Sequence, residues 1–181
     1  MGDVKIREAK PEDHNGITAL FQATYAQDGY PIARSVSEVE SIIWYTTMTK
    51  QWVAVDGEQV VGHIAIRSAV GYPSSDVFSA IMAVPVEDIT VVYRLAVHPS
   101  RRRQGIAKRI FETVLESEGR CAFDAIDMSK ADEAFYRSMG LFPIDQVDRV
   151  RGDEHHLATL WVDGVRPGWQ PRRAGDLPLN T

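Results

Sequence analysis

The stretch from Val91 to Phe111, VVYRLAVHPSRRRQGIAKRIF, constrains the fold of this chain more than any other. Val91 to Val97 is a short β-branched and apolar run, the pattern of a buried strand. His98-Pro99-Ser100 ends it, because proline cannot donate to a central ladder. After Arg101-Arg102-Arg103-Gln104 the spacing becomes helical, with Ile106, Ile110, Phe111, Val114 and Leu115 on one face. Lys108, Arg109, Glu112 and Glu116 fall largely on the other face, and Gly119 is placed to stop the helix. A strand, a tight turn and a helix N-terminus together make an anion site. The first N–H groups of a helix have no intrahelical partner, and the helix dipole adds partial positive charge there. Gly105 and Ala107 let a bulky anion reach the backbone, and three arginines add long-range attraction. The stretch therefore predicts a phosphate or pyrophosphate cradle.

Two common phosphate loops are excluded by spacing. A P-loop ends in Gly-Lys-Ser/Thr, which is absent here. A Rossmann fingerprint needs three glycines, and this loop has one. Arg102-x-x-Gly105-x-Ala107, after a strand ending in Val-His-Pro, resembles instead the acyl-CoA loop of the GNAT N-acetyltransferases, Q/R-x-x-G-x-G/A. Phe135-Tyr136-Arg137-Ser138-Met139-Gly140-Leu141 resembles the second signature of that family, L/F-Y-x-x-x-G-F. Motif resemblance runs from about residue 50 to 142, and the opening IREAKPED with its following helix is also typical of the family.

The remaining elements follow in chain order. Val4 to Arg7 is a first strand, and Asp13 is placed to cap a helix carrying Ile17, Leu20, Phe21 and Tyr25 inward. Asp28-Gly29-Tyr30-Pro31 breaks that helix. Ser35-x-x-Glu38 is a capping-box pattern for a second helix with Val39, Ile42 and Ile43 inward. Trp52 to Val55 and Val60 to Ile66 read as strands joined through Asp56-Gly57. Residues 69 to 88 are irregular and are expected to hold a bulged strand or an insertion near the site. Ala122 to Asp127 is a further strand. Ser129-x-x-Asp132 caps a helix with Ala131, Ala134, Phe135 and Met139 inward, ending at Gly140. Two strands follow, around Ile144 to Val150 and Leu157 to Val162.

The order β-α-α-β-β-β-α-β-α-β-β is the one the resemblance implies. The expected fold class is α/β, a GNAT-type mixed and mostly antiparallel sheet splayed between strands 4 and 5, with helices on both faces. The expected domain is residues 1–163. Residues 164–181 hold three prolines, three glycines and three arginines and read as an extended tail.

Composition narrows partners. A net charge of −5 does not favour nucleic acid or an anionic membrane surface, so Arg101 to Arg103 are read as a local feature for CoA phosphates. No apolar stretch approaches bilayer length and no apolar signal region opens the chain, so a cytoplasmic protein is expected. Cys121 is the only cysteine, which precludes an intrachain disulfide. A buried small residue at a strand start is the preferred reading over a catalytic thiol. His155 and His156 are adjacent on a strand and point to opposite faces, so they do not make a two-ligand metal site, and no metal is expected. His98 is common at this place in the family without a chemical duty.

The resemblance implies acetyl-CoA as co-substrate and a named set of site residues. The acyl-CoA arm pairs with the backbone of the fourth strand, here Leu95, Ala96 and Val97, whose side chains are ordinary strand core. The pyrophosphate meets the loop of Arg102, Arg103, Gln104, Gly105, Ile106, Ala107 and Lys108. Ser129 stands where the family often has an asparagine that binds the pantetheine or shapes the turn. Tyr136 stands where the family's tyrosine can protonate the leaving thiolate; the competing reading is a half-buried core tyrosine. Asp124 leads as general base, with Glu87, Asp88 and a water chain held by Tyr93 as alternatives. The expected activity is acetyl transfer to the primary amine of a small molecule, by direct attack in a ternary complex, with substrate entering over residues 26–36 and 69–88. A peptide N-terminal acetyltransferase and a non-catalytic acyl-CoA sensor are the rival readings, and a monomer or homodimer is expected.

Overall fold

The structure is a computed structural model, and it describes residues 4–33, 35–44, 48–151 and 154–164. The strands are β1 (Lys5–Glu8), β2 (Lys50–Asp56), β3 (Gln59–Ser68), β4 (Thr90–Val97), β5 (Cys121–Ile126), β6 (Leu141–Arg151) and β7 (Glu154–Asp163). The helices are α1 (His14–Asp28), α2 (Val36–Ile43), α3 (Ser75–Met82), α4 (Ile106–Glu118) and α5 (Lys130–Ser138). The strands form one seven-stranded sheet in the order β1-β2-β3-β4-β5-β7-β6. The pairings are mostly antiparallel, and β4 with β5 is the parallel pair. This is the expected mixed α/β class. The chain divides into two compact units, Met1–Arg67 with Val92–Ser117, and Ser68–Val91 with Glu118–Thr181. The expected tail falls, from residue 165 on, outside the described residues.

In the first unit, β2 and β3 are joined by a two-residue turn, Gly57-Glu58, closed by the pair Asp56↔Gln59. Residues 60 to 66 of β3 are all buried, the mark of a central strand covered on both faces. Ile17, Leu20, Phe21, Val39, Ile43, Val53, Val60 and Ala96 form one cluster. Burying such side chains stabilises by roughly 1.5–3 kcal/mol each relative to exposure. Ser35 caps α2 as expected, its Oγ accepting from the Glu38 N–H at 3.2 Å. Asp13 does not cap α1. Its carboxylate takes two hydrogen bonds from the Arg7 guanidinium at 2.6 and 2.8 Å and one from the Lys10 N–H at 2.7 Å. A nearby cation from β1 outcompetes a lone helical N–H for a buried carboxylate, because the charge-assisted bond is the stronger. These bonds hold the Asp13 carboxyl below the usual carboxylate range, against the opposing effect of burial.

In the second unit, residues 69–88 correct the expectation of a bulged strand or an insertion. They contain α3 and a short 3₁₀ turn, Val86–Asp88. Phe78, Ile81 and Met82 of α3 are buried, at i, i+3 and i+4 spacing. The run is too short, between Pro73 and Pro85, for that period to stand out in the sequence. β6 and β7 form a hairpin longer than expected, with a register shift between Pro143 and Asp145. β6 is an edge strand, where a proline is tolerated. β4 registers with β5 through Thr90↔Cys121 and Val91↔Ala122.

Candidate functional site

The expected anion loop belongs to the first unit. β4 ends at Val97, and His98 closes it by accepting from the Ser100 N–H and bonding the Ser100 hydroxyl at 2.9 Å. His98 is thus a local cap. Two residues of the loop then take left-handed backbone, Arg103 at φ 62° and Gly105 at φ 77°. Glycine suits the second position because a side chain there would be strained. Apart from Gly105 itself and its chain neighbours, no atom lies within 4 Å of where a Gly105 Cβ would stand, so the approach to its backbone is open. Ile106, 2 % exposed, anchors the first turn of α4, and the Gly105 carbonyl receives the Arg109 N–H at 3.0 Å. That anchor rests on Gly62 of β3. A Cβ on Gly62 would meet Ile106 Cγ2 at 3.0 Å and Ala54 Cβ at 3.1 Å.

The three arginines divide. Arg101 pairs with Asp56 at 2.5 Å, and Arg102 pairs with Asp28 at 2.7 Å while its Nε donates to the Val97 carbonyl at 3.2 Å. Arg103 is exposed, as are Gln104, Gly105 and Lys108, while Ala107 is half-buried. Lys108 has an exposed i,i+4 partner in Glu112 at 3.7 Å. Two of the three cations read as phosphate ligands are therefore already engaged by carboxylates of the fold. An exposed helix N-terminus with an open glycine fits a pyrophosphate, and Arg103 and Lys108 are exposed cations beside it.

Leu95 and Val97 are half-buried and Ala96 is 6 % exposed. Just before them Arg94, in the middle of β4, has φ 60°. A non-glycine residue seldom takes this conformation inside a strand. The Arg94 carbonyl lies 2.9 Å from Nδ1 of His63, whose Nε2 lies 2.8 Å from the side-chain amide of Gln51. His63 is 1 % exposed, and Phe21 packs edge-on at 5.2 Å. Burial pushes the imidazole down to about 4, outweighing the opposing effect of its bond to Arg94. The sequence reading missed both residues. The available signal was a lone histidine in an otherwise apolar run, Val60-Val61-Gly62-His63-Ile64-Ala65-Ile66.

The two residues expected to carry chemistry lie in the second unit. Tyr136 on α5 is half-buried, with ring centroids 4.7 Å from Phe123, 5.3 Å from Phe135 and 5.4 Å from Trp161. Ser129 opens α5 with a full capping box. Its Oγ accepts from the Asp132 N–H at 3.2 Å and donates to the Asp132 carboxylate at 2.7 Å. That hydroxyl is committed to the helix. The inward face differs from the expected one: Ala131 and Ala134 are exposed, while Phe135, Tyr136 and Met139 are half-buried. α5 rests on its aromatic edge because Phe123 and Trp161 offer rings there.

Asp124 is 17 % exposed and accepts from the Tyr72 hydroxyl at 2.5 Å and from Arg149 Nε at 2.7 Å. Arg149 also donates to Ser74. Glu87 and Asp88 are exposed in their 3₁₀ turn, and Tyr93 is half-buried. Cys121 is buried, and burial pushes its thiol far up, so little reactive thiolate exists at neutral pH. His155 bonds Asp148 at 2.5 Å and His156 bonds Asp127 at 2.7 Å, separate partners. Among the described residues no three His, Cys, Asp or Glu side chains converge as a metal site.

With this geometry in place, the comparisons with known proteins decide the family. The model of the family described as "Acetyltransferase (GNAT) domain" matches residues 49–140, from β2 through the end of α5. This chain belongs to the GNAT acetyltransferase family. No curated protein matches the sequence significantly. Among solved structures, NAA60 of Arabidopsis thaliana in complex with acetyl-CoA is similar at 20 % identity and a TM-score of 0.65, covering 88 % of this chain and 97 % of its own. The ribosomal-protein-S18-alanine N-acetyltransferase of Escherichia coli is similar at 12 % identity and a TM-score of 0.64, covering 90 % and 94 %. An N-acetyltransferase from Staphylococcus aureus Mu50 is similar at 15 % identity and a TM-score of 0.65, covering 91 % and 99 %. At these identities the likeness is one of fold. No helix among the described residues is long and apolar enough to cross a membrane.

Proposed function

We propose that this GNAT acetyltransferase moves an acetyl group from acetyl-CoA to a primary amine of a small molecule, by direct attack in a ternary complex. The observation that carries the reading is the loop after β4, where left-handed Arg103 and Gly105 open onto the N-terminus of α4. Acetyl-CoA supplies the acetyl group as a thioester, whose carbonyl carbon the amine nitrogen attacks as the C–S bond breaks. The N–H groups from Arg103 to Lys108 hold the pyrophosphate, with Arg103 and Lys108 adding charge. The backbone of Leu95, Ala96 and Val97 receives the pantetheine arm and polarises the thioester carbonyl. Ser129 shapes the turn into α5.

Tyr136 donates its hydroxyl proton to the departing sulfur. A phenol has a reference pKa of about 10, above that of a thiol, so its value as an acid lies in its position. Asp124 accepts the proton lost by the amine, directly or through water. Arg149 and Tyr72 hold its carboxylate in place. For a small acceptor, residues 26–36 and 69–88 supply aromatic and polar groups, Tyr30 and Asp76 among them.

The test is acetyl-CoA-dependent release of free thiol, run with small amines, amino sugars and peptides with free N-termini. Turnover with a small amine, and none without an acceptor, is the expected result. Turnover confined to peptides moves the acceptor to a protein N-terminus. Acetyl-CoA binding with no turnover on any acceptor leaves the sensor reading standing.

A further inference from the structure

The pair of contacts on His63 is unusual in its arithmetic. The ring is 1 % exposed and burial holds it neutral at pH 7, so it carries a single N–H. Nδ1 faces the Arg94 carbonyl at 2.9 Å, and a carbonyl can only accept. The proton therefore sits on Nδ1, and Nε2 is left as an acceptor. The atom placed 2.8 Å from Nε2 is Gln51 Oε1; with the proton on Nδ1 the amide is turned over, so that its NH₂ faces the ring. Both ring nitrogens have a partner in that arrangement, whereas the opposite tautomer leaves Nδ1 and the Arg94 carbonyl as two acceptors facing each other.

The carbonyl so held belongs to the one residue of β4 with left-handed backbone, Arg94 at φ 60°. Such backbone persists only where the surroundings over-determine it. Two features fix it from the β3 side: His63 itself, and the His98 N–H bond to the Val61 carbonyl at 2.9 Å, which pins the end of the strand. The turn at Arg94 sets the direction in which the peptide groups of Leu95, Ala96 and Val97 point.

We infer that His63 is a positioning residue for acyl transfer: its Nδ1–H clamps the Arg94 carbonyl and thereby aims the β4 backbone at the thioester. The inference rests on the proposed acetyl-CoA reading. It assigns His63 no contact with substrate; the residue acts through Arg94 and the three residues after it. Gln51 is part of the device, because its NH₂ gives Nε2 a donor and so supports the tautomer that the Arg94 carbonyl selects.

The test compares His63→Leu, His63→Asn and Gln51→Met with the wild-type protein. Asparagine can place an N–H near the position of Nδ1, and leucine cannot. His63→Leu should lower kcat by roughly 10- to 100-fold, the scale of a misaligned reacting group. Acetyl-CoA affinity should change far less, since the loop from Arg103 to Lys108 is untouched. The carbonyl stretch of bound ¹³C-acetyl-CoA should move toward its value in water. His63→Asn should restore most of kcat and of the carbonyl shift, which a purely space-filling role would not require. If His63→Leu fails to fold by near-UV circular dichroism, Gln51→Met carries the test. It removes the donor to Nε2 and loosens the ring, so it should lower kcat in the same direction, and unchanged kcat in a folded Gln51→Met protein overturns the inference.

An Nε2–H tautomer in the wild-type ¹⁵N spectrum overturns the inference, whatever the cofactor does. So does a folded His63→Leu protein with unchanged kcat and carbonyl frequency. Failure of wild-type protein to bind acetyl-CoA is a different result: it removes the proposed function, and this inference falls with it.

Discussion

One buried titratable group in each compact unit is held in the opposite way to the other. The unit of Met1–Arg67 with Val92–Ser117 buries His63, and both ring nitrogens are bonded. The unit of Ser68–Val91 with Glu118–Thr181 buries Asp163, 6 % exposed, with neither carboxylate oxygen in a well-formed hydrogen bond. Burial raises the Asp163 carboxyl to about 6, even though the Cys121 backbone N–H and the Arg120 charge act to lower it. A satisfied buried group fixes geometry, and an unsatisfied one leaves a stability cost in place. The first arrangement suits a unit whose proposed task is to hold a cofactor backbone at a set angle. The second unit carries the two side chains proposed for proton transfer, Tyr136 and Asp124.

The largest effect should come from the second unit. Tyr136→Phe keeps the ring among Phe123, Phe135 and Trp161, so packing and acetyl-CoA affinity should survive. The rate constant kcat should fall by ~10²-fold or more, because the lost bond strengthens only in the transition state. A variant with wild-type kcat, where chemistry is rate-limiting, would reduce Tyr136 to a packing residue. Asp124→Asn belongs beside it, with an expected loss of ~10²–10⁴-fold and disappearance of the acidic limb of the pH profile. Full activity with an unchanged profile but lowered stability would make Asp124 only the partner of Arg149.

The pH response should separate the units. For His63, lowered from 6.5 to about 4, the unfolded chain binds more protons between those values. Its contribution is therefore present above pH 6.5 and is lost as pH falls toward 4, up to about 3 kcal/mol. Asp163 runs the other way. Raised from 3.8 to about 6, the folded state binds more protons in that window. Stability drops as pH rises through it, by up to about 3 kcal/mol, and the full cost stands above pH 6. Hydrogen exchange should show β3 losing protection on acidification while β7 gains it. Asp163→Asn should raise stability at pH 8 and flatten the slope between pH 4 and 6. No gain at pH 8 would mean that the charge is already compensated.

A smaller effect should follow from Gly62→Ala in the first unit. The added methyl meets Ile106 and Ala54 at the distances that anchor the first turn of α4. Overpacking of this kind costs ~1–3 kcal/mol, and neither the buried Ile106 Cγ2 nor the Ala54 Cβ is the end of a flexible side chain that could swing aside. Acetyl-CoA affinity should weaken with it, measured by titration alongside thermal unfolding. Lost stability with unchanged affinity would uncouple β3 from the loop.

Much of the fold was legible because its signals are local. The run Val91 to Val97, the Ser129-Asp132 capping box, the β2–β3 turn and the stop at Gly119 each depend on residues within a few positions. What escaped depends on partners far along the chain. Asp13 was drawn from its helix by Arg7, Arg101 and Arg102 were taken by Asp56 and Asp28, and Asp124 by Arg149. α3 was hidden by its flanking prolines and its eight-residue length. His63 carried a visible signal, but its meaning required knowing that Gln51 and Arg94 lie across the neighbouring strands.

The most direct test of the central claim is calorimetric titration of acetyl-CoA into wild-type protein and Gly105→Glu. The glutamate would stand in open space beside the left-handed turn, placing a carboxylate where the pyrophosphate is proposed to sit. Each charge-assisted hydrogen bond lost is worth ~1.5–3 kcal/mol. Binding by the wild type, and a loss of well over tenfold in a folded Gly105→Glu protein, is the predicted result. Equal affinity in the two proteins would contradict it and remove the loop after β4 as the cofactor site.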